Sequence, residues 1–151
     1  MNNLTAHFTL EELVHSDTAR ILGITNTPTP SILANLRRLA QFNEMVRLAL
    51  GGAAMTISSG YRCPALNRAV GGAGNSAHLH GLANDFIAPT FGTPLAICKT
   101  LEKSYLEFDQ LIYERAGGAV WVHLAIAVEG AQPRRQLLTV DNKGTRMGLW
   151  Q

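Results

Sequence analysis

Cysteine and charge are both scarce in this sequence. The chain has two cysteines, Cys63 and Cys98, and neither belongs to a Cys-x-x-Cys motif. We therefore expect reduced structural thiols rather than a disulfide. Charged residues make up 16% of the chain, the net charge is +2, and no block of lysines or arginines occurs. These values argue against nucleic acid as a partner, because a nucleic-acid-binding surface requires clustered positive charge.

Long hydrophobic segments are missing as well. A membrane-spanning helix needs about 20 apolar residues, whereas arginine, glutamate and amide side chains interrupt the longest mixed run, residues 33–50. The N-terminal segment, residues 1–7, has neither the basic start nor the apolar stretch of a secretory signal peptide. We therefore expect no stable membrane association, and a protein that is made in the cytoplasm and at first stays there.

The order of the predicted elements indicates the fold class. Thr9 and Glu12 form a capping box before a short helix, and residues 31–50 have the periodicity of a long amphipathic helix. Alternating apolar patterns come mainly later in the chain. Helices followed by strands predict an α+β domain with an antiparallel sheet. The predicted helices are 10–15, 16–22, 31–50, 63–70 and 93–105, and the predicted strands are 54–59, 82–88, 109–114, 121–128 and 136–140.

One short stretch concentrates side chains that bind metals. Residues 76–85, with the sequence Ser-Ala-His-Leu-His-Gly-Leu-Ala-Asn-Asp, bring His78, His80 and Asp85 close together before an apolar segment. Imidazole and carboxylate groups at this spacing suggest a zinc site at the edge of a sheet. The alternative is a polar loop whose histidines are solvated or bonded to the backbone.

A second group of candidate residues lies in a predicted hairpin. Along its second strand, His123 and Trp121 alternate with bulky apolar residues and share their face with alanines, as in the floor of a cavity. A four-residue turn at 116–119 pairs Glu114 with Trp121. Ile112 then pairs with His123, so that Glu114 and His123 are diagonal neighbours, roughly 7–8 Å apart at their bases. The alternatives are a hydrogen-bonded histidine on an exposed face and a solvated glutamate at a strand end.

Four segments together resemble the zinc D-alanyl-D-alanine peptidase family, which shares its fold with hedgehog signalling domains. The family pattern S-x-H-x-x-G-x-A-x-D is matched in full over residues 76–85, and its later Trp-x-His strand by residues 121–123. Residues 59–67 are similar to the family's substrate-binding arginine segment. The opening segment, residues 8–13, and the run 112–114 resemble a branch that is common in bacteriophages and prophages.

The resemblance implies a fold and a domain plan. It implies a hedgehog/DD-peptidase-like antiparallel sheet with N-terminal helices packed on it and a zinc site on the sheet. A single zinc peptidase domain would occupy residues 1–151. Its core would span about 8–128, and a C-terminal strand and tail would span 129–151.

The resemblance also implies roles for individual residues. His78, Asp85 and His123 would bind Zn²⁺ and leave a fourth position for water, as in catalytic zinc sites. Arg62 would stabilise the carbonyl oxygen or hold a substrate carboxylate, which suits its planar fork of donors. The residues implied in substrate binding are Tyr61, Arg62, Ser76 and Trp121. For Ser76 the alternative is a cap for the turn that presents His78.

The chain departs from the family at the catalytic base. Several members carry an acid three residues before the last zinc histidine, where this sequence has Val120 preceded by Ala119. Glu114 on the paired strand is the carboxylate that the predicted register brings near, because Asp109 lies on neither its face nor its end of the hairpin. For His80 the options are a partner of a metal ligand, a substrate contact or plain surface.

The expected function is a zinc-dependent peptidase that cuts stem peptides of bacterial peptidoglycan. It would act either as a D-Ala-D-Ala carboxypeptidase or as an endopeptidase on an L-Ala-D-Glu or cross-bridge bond. We expect a monomeric phage or prophage endolysin, held in the cytoplasm until it is released to the cell wall. The alternatives are a non-catalytic, zinc-stabilised module that binds wall or protein, and a cytoplasmic dipeptidase acting on free D-Ala-D-Ala.

Overall fold

The computed structural model describes residues 2–151, and Met1, the first residue of the N-terminal segment discussed above, lies outside the described residues. The described chain forms five α-helices, one 3₁₀ helix and six strands. In chain order they are α1 (Leu10–Val14), α2 (Asp17–Leu22), α3 (Pro30–Ala49), β1 (Thr56–Ser59), α4 (Pro64–Ala69), the 3₁₀ helix (Ala77–His80), β2 (Ala83–Ile87), α5 (Pro94–Glu102), β3 (Gln110–Ala116), β4 (Ala119–Ala125), β5 (Gln136–Asp141) and β6 (Gly144–Met147).

The predicted α+β class is confirmed, and side-chain caps explain where several helices begin. The capping box at α1 forms as predicted: the Glu12 backbone N–H donates to the Thr9 hydroxyl, and the Thr9 N–H donates to the Glu12 carboxylate. Thr29 and Thr93 accept hydrogen bonds from the first turns of α3 and α5, each of which has a proline as its first residue.

The six strands form one sheet in the order β1-β2-β4-β3-β5-β6. All neighbours are antiparallel except β3 and β5, which are parallel. The predicted antiparallel sheet is therefore confirmed for the other pairs and is wrong at this one. After β4 the chain returns to the starting end of β3, where Arg134 binds the Asp109 carboxylate, and β5 then runs alongside β3. An alternating pattern within β5 does not encode this direction.

The β3–β4 hairpin has the predicted register. Glu114 pairs with Trp121 and Ile112 pairs with His123. The turn itself is shorter than predicted, because Ala116 and Ala119 already pair with each other. Gly117 and Gly118 make the turn with φ of 57° and 82°, which are left-handed values that favour glycine in two-residue hairpin turns.

Two short elements were not predicted from the sequence. The 3₁₀ helix has only four residues, too few for a periodic pattern. Strand β6, also of four residues, is largely exposed and polar, and it gains its strand structure by pairing with β5. Conversely, the strand predicted over 121–128 ends at Ala125, and the helix predicted over 93–105 ends at Glu102.

The hydrophobic core lies on one face of the sheet. Apolar side chains of α3 and α5 belong to the same buried cluster as those of β2, β3 and β4. Leu36, Leu39 and Leu124 are fully buried, and each such side chain contributes about 1.5–3 kcal/mol to folding. One buried amide pair crosses this core, where Asn43 donates to Asn84 at 2.7 Å and so ties α3 to β2. No helix within residues 2–151 combines the length and the apolar character needed to cross a bilayer.

Candidate metal centre and active-site cleft

Strand pairing puts two of the predicted metal ligands opposite each other. The register between β2 and β4 pairs Asp85 directly with His123. Paired residues share a face of the sheet, and this face is the one opposite to that of Val122 and Leu124, which belong to the core cluster. Asp85 Oδ1 lies 3.1 Å from His123 Nδ1.

The third predicted ligand, His78, comes from the 3₁₀ helix. Ser76 caps this helix, because its hydroxyl accepts a hydrogen bond from the His78 backbone N–H at 3.2 Å. Gly81 ends the helix with a φ of 69°, and a Cβ atom at Gly81 would lie 3.0 Å from Ile32 on α3. A left-handed backbone and close packing thus explain the glycine between His78 and Asp85.

The backbone orients the His78 imidazole. Its Nδ1 lies 2.7 Å from the carbonyl oxygen of Gly60. A carbonyl only accepts hydrogen bonds, so Nδ1 carries a proton, and Nε2 is the nitrogen that can bind a metal once it is deprotonated. Nε2 lies 3.4 Å from Asp85 Oδ1. A histidine whose other nitrogen donates to a carbonyl is the usual arrangement of a metal ligand.

The three side chains together form a donor set that suits zinc. One ligand atom each from His78, Asp85 and His123 lies within 4.8 Å of the other two. Two imidazole nitrogens and one carboxylate oxygen, with a fourth position open, are typical of catalytic zinc sites. His80 is exposed and outside this group. No second group of three such side chains comes as close together within residues 2–151.

The surroundings of Asp85 keep its carboxylate ionised. Burial raises the pKa of Asp85, but the hydrogen bonds and charges of His123 and His78 outweigh burial and hold the pKa well below its usual range. The side chain is only partly exposed, so solvent screens these interactions little. Asp85 therefore has the charge state that a metal ligand requires.

A cleft of about 600 Å³ lies beside the three candidate ligands and is lined by Glu114, Trp121, Arg62 and Ser76 among others. Its volume is in the range of ligand-binding pockets. The sequence placed Glu114 on this face from the hairpin register alone. Burial and then the negative charge of Asp85 raise the pKa of Glu114, while His123, Trp121 and Arg62 offset part of the rise.

Two polar atoms in the cleft have no hydrogen-bond partner within residues 2–151: Nε of Arg62 and Nε1 of Trp121. The contact between Trp121 and Glu114 lowers the pKa of Glu114 but lacks the geometry of a hydrogen bond. A buried donor without a partner costs about 1–3 kcal/mol. Burial lowers the pKa of Arg62, and the charges of Asp85 and Glu114 offset part of this effect; the guanidinium stays charged. Each of these two cleft-lining side chains therefore has one buried donor that the protein does not satisfy.

The remaining predicted substrate residues lie in different places. Ser76 caps the 3₁₀ helix, as one alternative predicted, and it also lines the cleft, while its binding of substrate stays a prediction. The Tyr61 side chain is buried in the core cluster. It lines a second, adjacent cavity rather than the cleft that contains Glu114.

Two residues that the sequence did not single out hold the site in shape. Asn26 donates to the Val14 and Tyr61 carbonyls and accepts from the Cys63 N–H, all at 2.8–2.9 Å, so it fixes the backbone on both sides of Arg62. Gly60 packs so tightly on α1 that a Cβ atom would lie 2.2 Å from the Leu13 carbonyl oxygen. A lone asparagine in a loop gives no signal in one sequence.

Comparison with known proteins places this site in a family. The profile of the family described as Peptidase M15 matches residues 6–125, which is most of the chain and includes all three candidate ligands. No curated protein sequence matches the chain. The family match confirms the resemblance that residues 59–67, 76–85 and 121–123 indicated. The chain therefore belongs to the peptidase M15 family, whose members are zinc-dependent metallopeptidases.

Proposed function

We propose that this protein is a zinc-dependent peptidase that hydrolyses peptide bonds in the stem peptides of bacterial peptidoglycan. The observation that carries the proposal is the convergence of His78, Asp85 and His123 beside a cleft that also contains Glu114 and Arg62. The match to the M15 family supports the zinc peptidase chemistry.

His78, Asp85 and His123 would hold the zinc ion through Nε2, a carboxylate oxygen and Nδ1, the atoms that approach one another most closely. What the ion supplies when bound is Lewis acidity, which polarises the scissile carbonyl and lowers the pKa of water. The Gly60 carbonyl keeps His78 in the tautomer that leaves Nε2 available.

Glu114 is the general base of the proposed reaction. It would take a proton from water as the water oxygen attacks the scissile carbonyl carbon, and pass that proton to the amine when the C–N bond breaks. Its raised pKa brings the carboxyl closer to the working pH, where a group that accepts and returns a proton is most efficient. Glu114 reaches the cleft from β3 and would take the place of the acid that several family members carry at the position of Val120.

Arg62 and Trp121 would bind the substrate, because both side chains line the cleft. The Arg62 guanidinium would stabilise the carbonyl oxygen or hold a carboxylate of the peptide. Ser76 lines the same cleft and supplies a hydroxyl. The buried ring of Tyr61 would act by shaping the backbone at Arg62 and the adjacent cavity.

The biological setting is a further part of the proposal. The resemblance of residues 8–13 and 112–114 to a branch common in phages supports an endolysin that is held in the cytoplasm until release. We propose a single domain that acts as a monomer on the stem peptide. Sedimentation of the zinc-loaded protein tests the monomer, and lysis of permeabilised cells by added protein tests the endolysin role.

Mass spectrometry of muropeptides after digestion of purified wall tests the enzymatic proposal. We expect the zinc-loaded protein to release new amino termini and the chelator-treated protein to release none. The non-catalytic module predicts wall binding without new termini from any wall type, and that result would overturn the proposal. Release only from free D-Ala-D-Ala would favour the dipeptidase instead.

A further inference from the structure

A second cavity adjoins the cleft on the far side of Arg62. It measures about 330 Å³ and shares Arg62, Val70 and Asp85 with the cleft that contains Glu114. Asp85 and Arg62 line both spaces, whereas His78 and His123 line only the cleft, so the candidate metal site lies where the cleft meets the second cavity. The smaller cavity alone falls within the size range of ligand pockets.

Two walls of the second cavity come from β1 and α2, elements that the catalytic proposal does not use. Ser59 pairs with Asp85 across β1 and β2, and an irregularity between Ile57 and Ser59 shifts the register there. Such bulges change the direction of the side chains beside them, and both Ser58 and Ser59 line the cavity. The opposite wall is the start of α2, including Thr18.

The two cavities together cross most of the sheet. The second cavity lies over β1, while Val140 brings the wall of the first cavity as far as β5. Four strand spacings separate β1 from β5 in the sheet order, which corresponds to about 19 Å. An extended peptide advances about 3.3 Å per residue, so the two cavities together span the length of about six residues.

The candidate metal ligands on β2 and β4 lie inside this length. One strand, β1, lies on one side of them, and two strands lined by the cleft, β3 and β5, lie on the other. Exposed side chains line both ends of the two cavities. His15 and Asp17 have side chains that are 63% and 72% exposed at one end, and Arg134 is 57% exposed at the other.

We propose that the protein is an endopeptidase, whose substrate is a peptide chain that continues beyond the scissile bond in both directions. One part of the peptide occupies the cleft of Glu114 and Trp121, and the other part occupies the cavity between β1 and α2. This inference rests on the proposed peptidase function and decides between its two forms. A carboxypeptidase needs a wall that stops the chain just after the scissile bond, whereas here a second cavity adjoins the candidate metal site.

Hydrolysis of blocked stem peptides by the zinc-loaded protein tests the inference. A pentapeptide with an acylated N-terminus and an amidated C-terminus is compared with the same peptide as a free acid. We expect both peptides to be cut at the same internal bond with comparable kcat/KM, giving two fragments of more than one residue each. Release of a single C-terminal residue, abolished by the amide, would overturn the inference while leaving the peptidase function intact. Absence of cleavage of every peptide would overturn the function and the inference together.

A substitution in the second cavity tests whether the peptide occupies that cavity. Thr18→Trp narrows the cavity without touching a candidate ligand, and Ile21→Trp on the exposed side of α2 is the matched control. We expect Thr18→Trp to lower the ratio of kcat/KM for long over truncated peptides by about tenfold or more, and Ile21→Trp to leave that ratio unchanged. Weaker binding of the long peptide to metal-free Thr18→Trp, measured by calorimetry, is the second readout. An unchanged ratio together with unchanged binding would contradict occupation of the cavity.

Discussion

Asp85 and Glu114 are two carboxylates of one cleft whose surroundings act on them in opposite ways. Asp85 lies between two imidazoles, and their hydrogen bonds hold its pKa below the usual range despite burial. Glu114 has no such pair of donors, so burial and the charge of Asp85 raise its pKa. The difference arises from where the two residues lie in the sheet. Asp85 pairs directly with His123 across β2 and β4, whereas Glu114, on β3, is only a diagonal neighbour of His123.

This contrast separates a ligand from a base. A carboxylate that stays ionised suits a metal, whereas one whose pKa is moved toward neutrality suits proton transfer. The surroundings of the metal ligands and of Glu114 also differ in how many polar groups have a hydrogen-bond partner. The ligand side is held by the Gly60, Ser76 and Asp85 contacts of His78, whereas the base side retains buried donors without partners at Arg62 and Trp121.

The largest expected effect comes from removing the charge of Asp85. Asp85→Asn keeps the shape of the side chain but removes the anion that faces both imidazoles. Loss of a partner beyond the ligands already costs about 10–100-fold in metal affinity, so we expect loss of a ligand to exceed about 100-fold and to abolish peptide hydrolysis. Competition with a chromogenic zinc chelator measures the affinity.

Asp109→Asn is the matched control for Asp85→Asn. Although the predicted register put Asp109 away from Glu114, Asp109 lines the same cleft, and its carboxylate binds Arg134 instead of facing a histidine. We expect zinc affinity close to that of the wild type. Equal zinc affinity for Asp85→Asn and the wild type would contradict the assignment of Asp85 as a ligand.

The sequence could predict the features of the site that depend on residues close together in the chain, but not those that depend on distant ones. The hairpin register followed from small residues at 116–119, and it correctly placed Glu114 beside His123. The pairing of β2 with β4 could not be predicted in this way, because the alternation of side chains within a strand does not indicate which strand lies beside it in the sheet. The same limit explains the unpredicted parallel direction of β5, which depends on where residues 126–135 cross.

The next largest effect tests how His78 is oriented. Gly60→Ala would put a Cβ atom 2.2 Å from the Leu13 carbonyl oxygen, so the backbone must shift and move the Gly60 carbonyl away from His78 Nδ1. We expect zinc affinity to fall by about 10–100-fold and stability to fall by about 1–3 kcal/mol. Gly74→Ala is the control, since nothing lies within 4 Å of a Cβ atom there. Equal losses in both variants would show that Gly60 has no special role.

A smaller effect is expected at Asn26. Asn26→Ala removes three hydrogen bonds that hold the backbone around Arg62. We expect kcat/KM to fall by about tenfold, with zinc affinity nearly unchanged because no ligand is touched. Asn35→Ala serves as control, since Asn35 makes one bond to the exposed His80 carbonyl. If zinc affinity falls along with kcat/KM, Asn26 supports the metal site rather than Arg62.

The smallest effect is a pH dependence of stability that distinguishes the two carboxylates. The pKa of Glu114 is raised in the folded protein, so the folded state binds more protons than the unfolded chain between the two pKa values. The contribution of Glu114 to the free energy of unfolding is therefore fully present below its ordinary pKa, and it is lost as the pH rises through the pKa that Glu114 has in the folded protein. We expect the metal-free Glu114→Gln protein to have a higher Tm than the wild type at neutral pH. This difference in Tm should disappear near the ordinary pKa of a glutamate, at about pH 4.

The pKa of Asp85 is lowered, so its contribution has the opposite sign. Its stabilisation is present above the ordinary pKa and is lost as pH falls through the folded pKa. Thermal unfolding of the metal-free proteins from pH 3 to 8 measures both trends. A Tm gap for Glu114→Gln that widens toward low pH would show that the two carboxylates behave alike.

The central claim is that Glu114 performs the chemistry at a zinc site to which it does not contribute a ligand. Zinc content and release of new amino termini from purified wall, measured together on the Glu114→Gln protein, test that claim most directly. We predict zinc binding equal to that of the wild type and hydrolysis lower by about 10²–10⁴-fold. Hydrolysis at the wild-type rate, with zinc bound, would contradict the account.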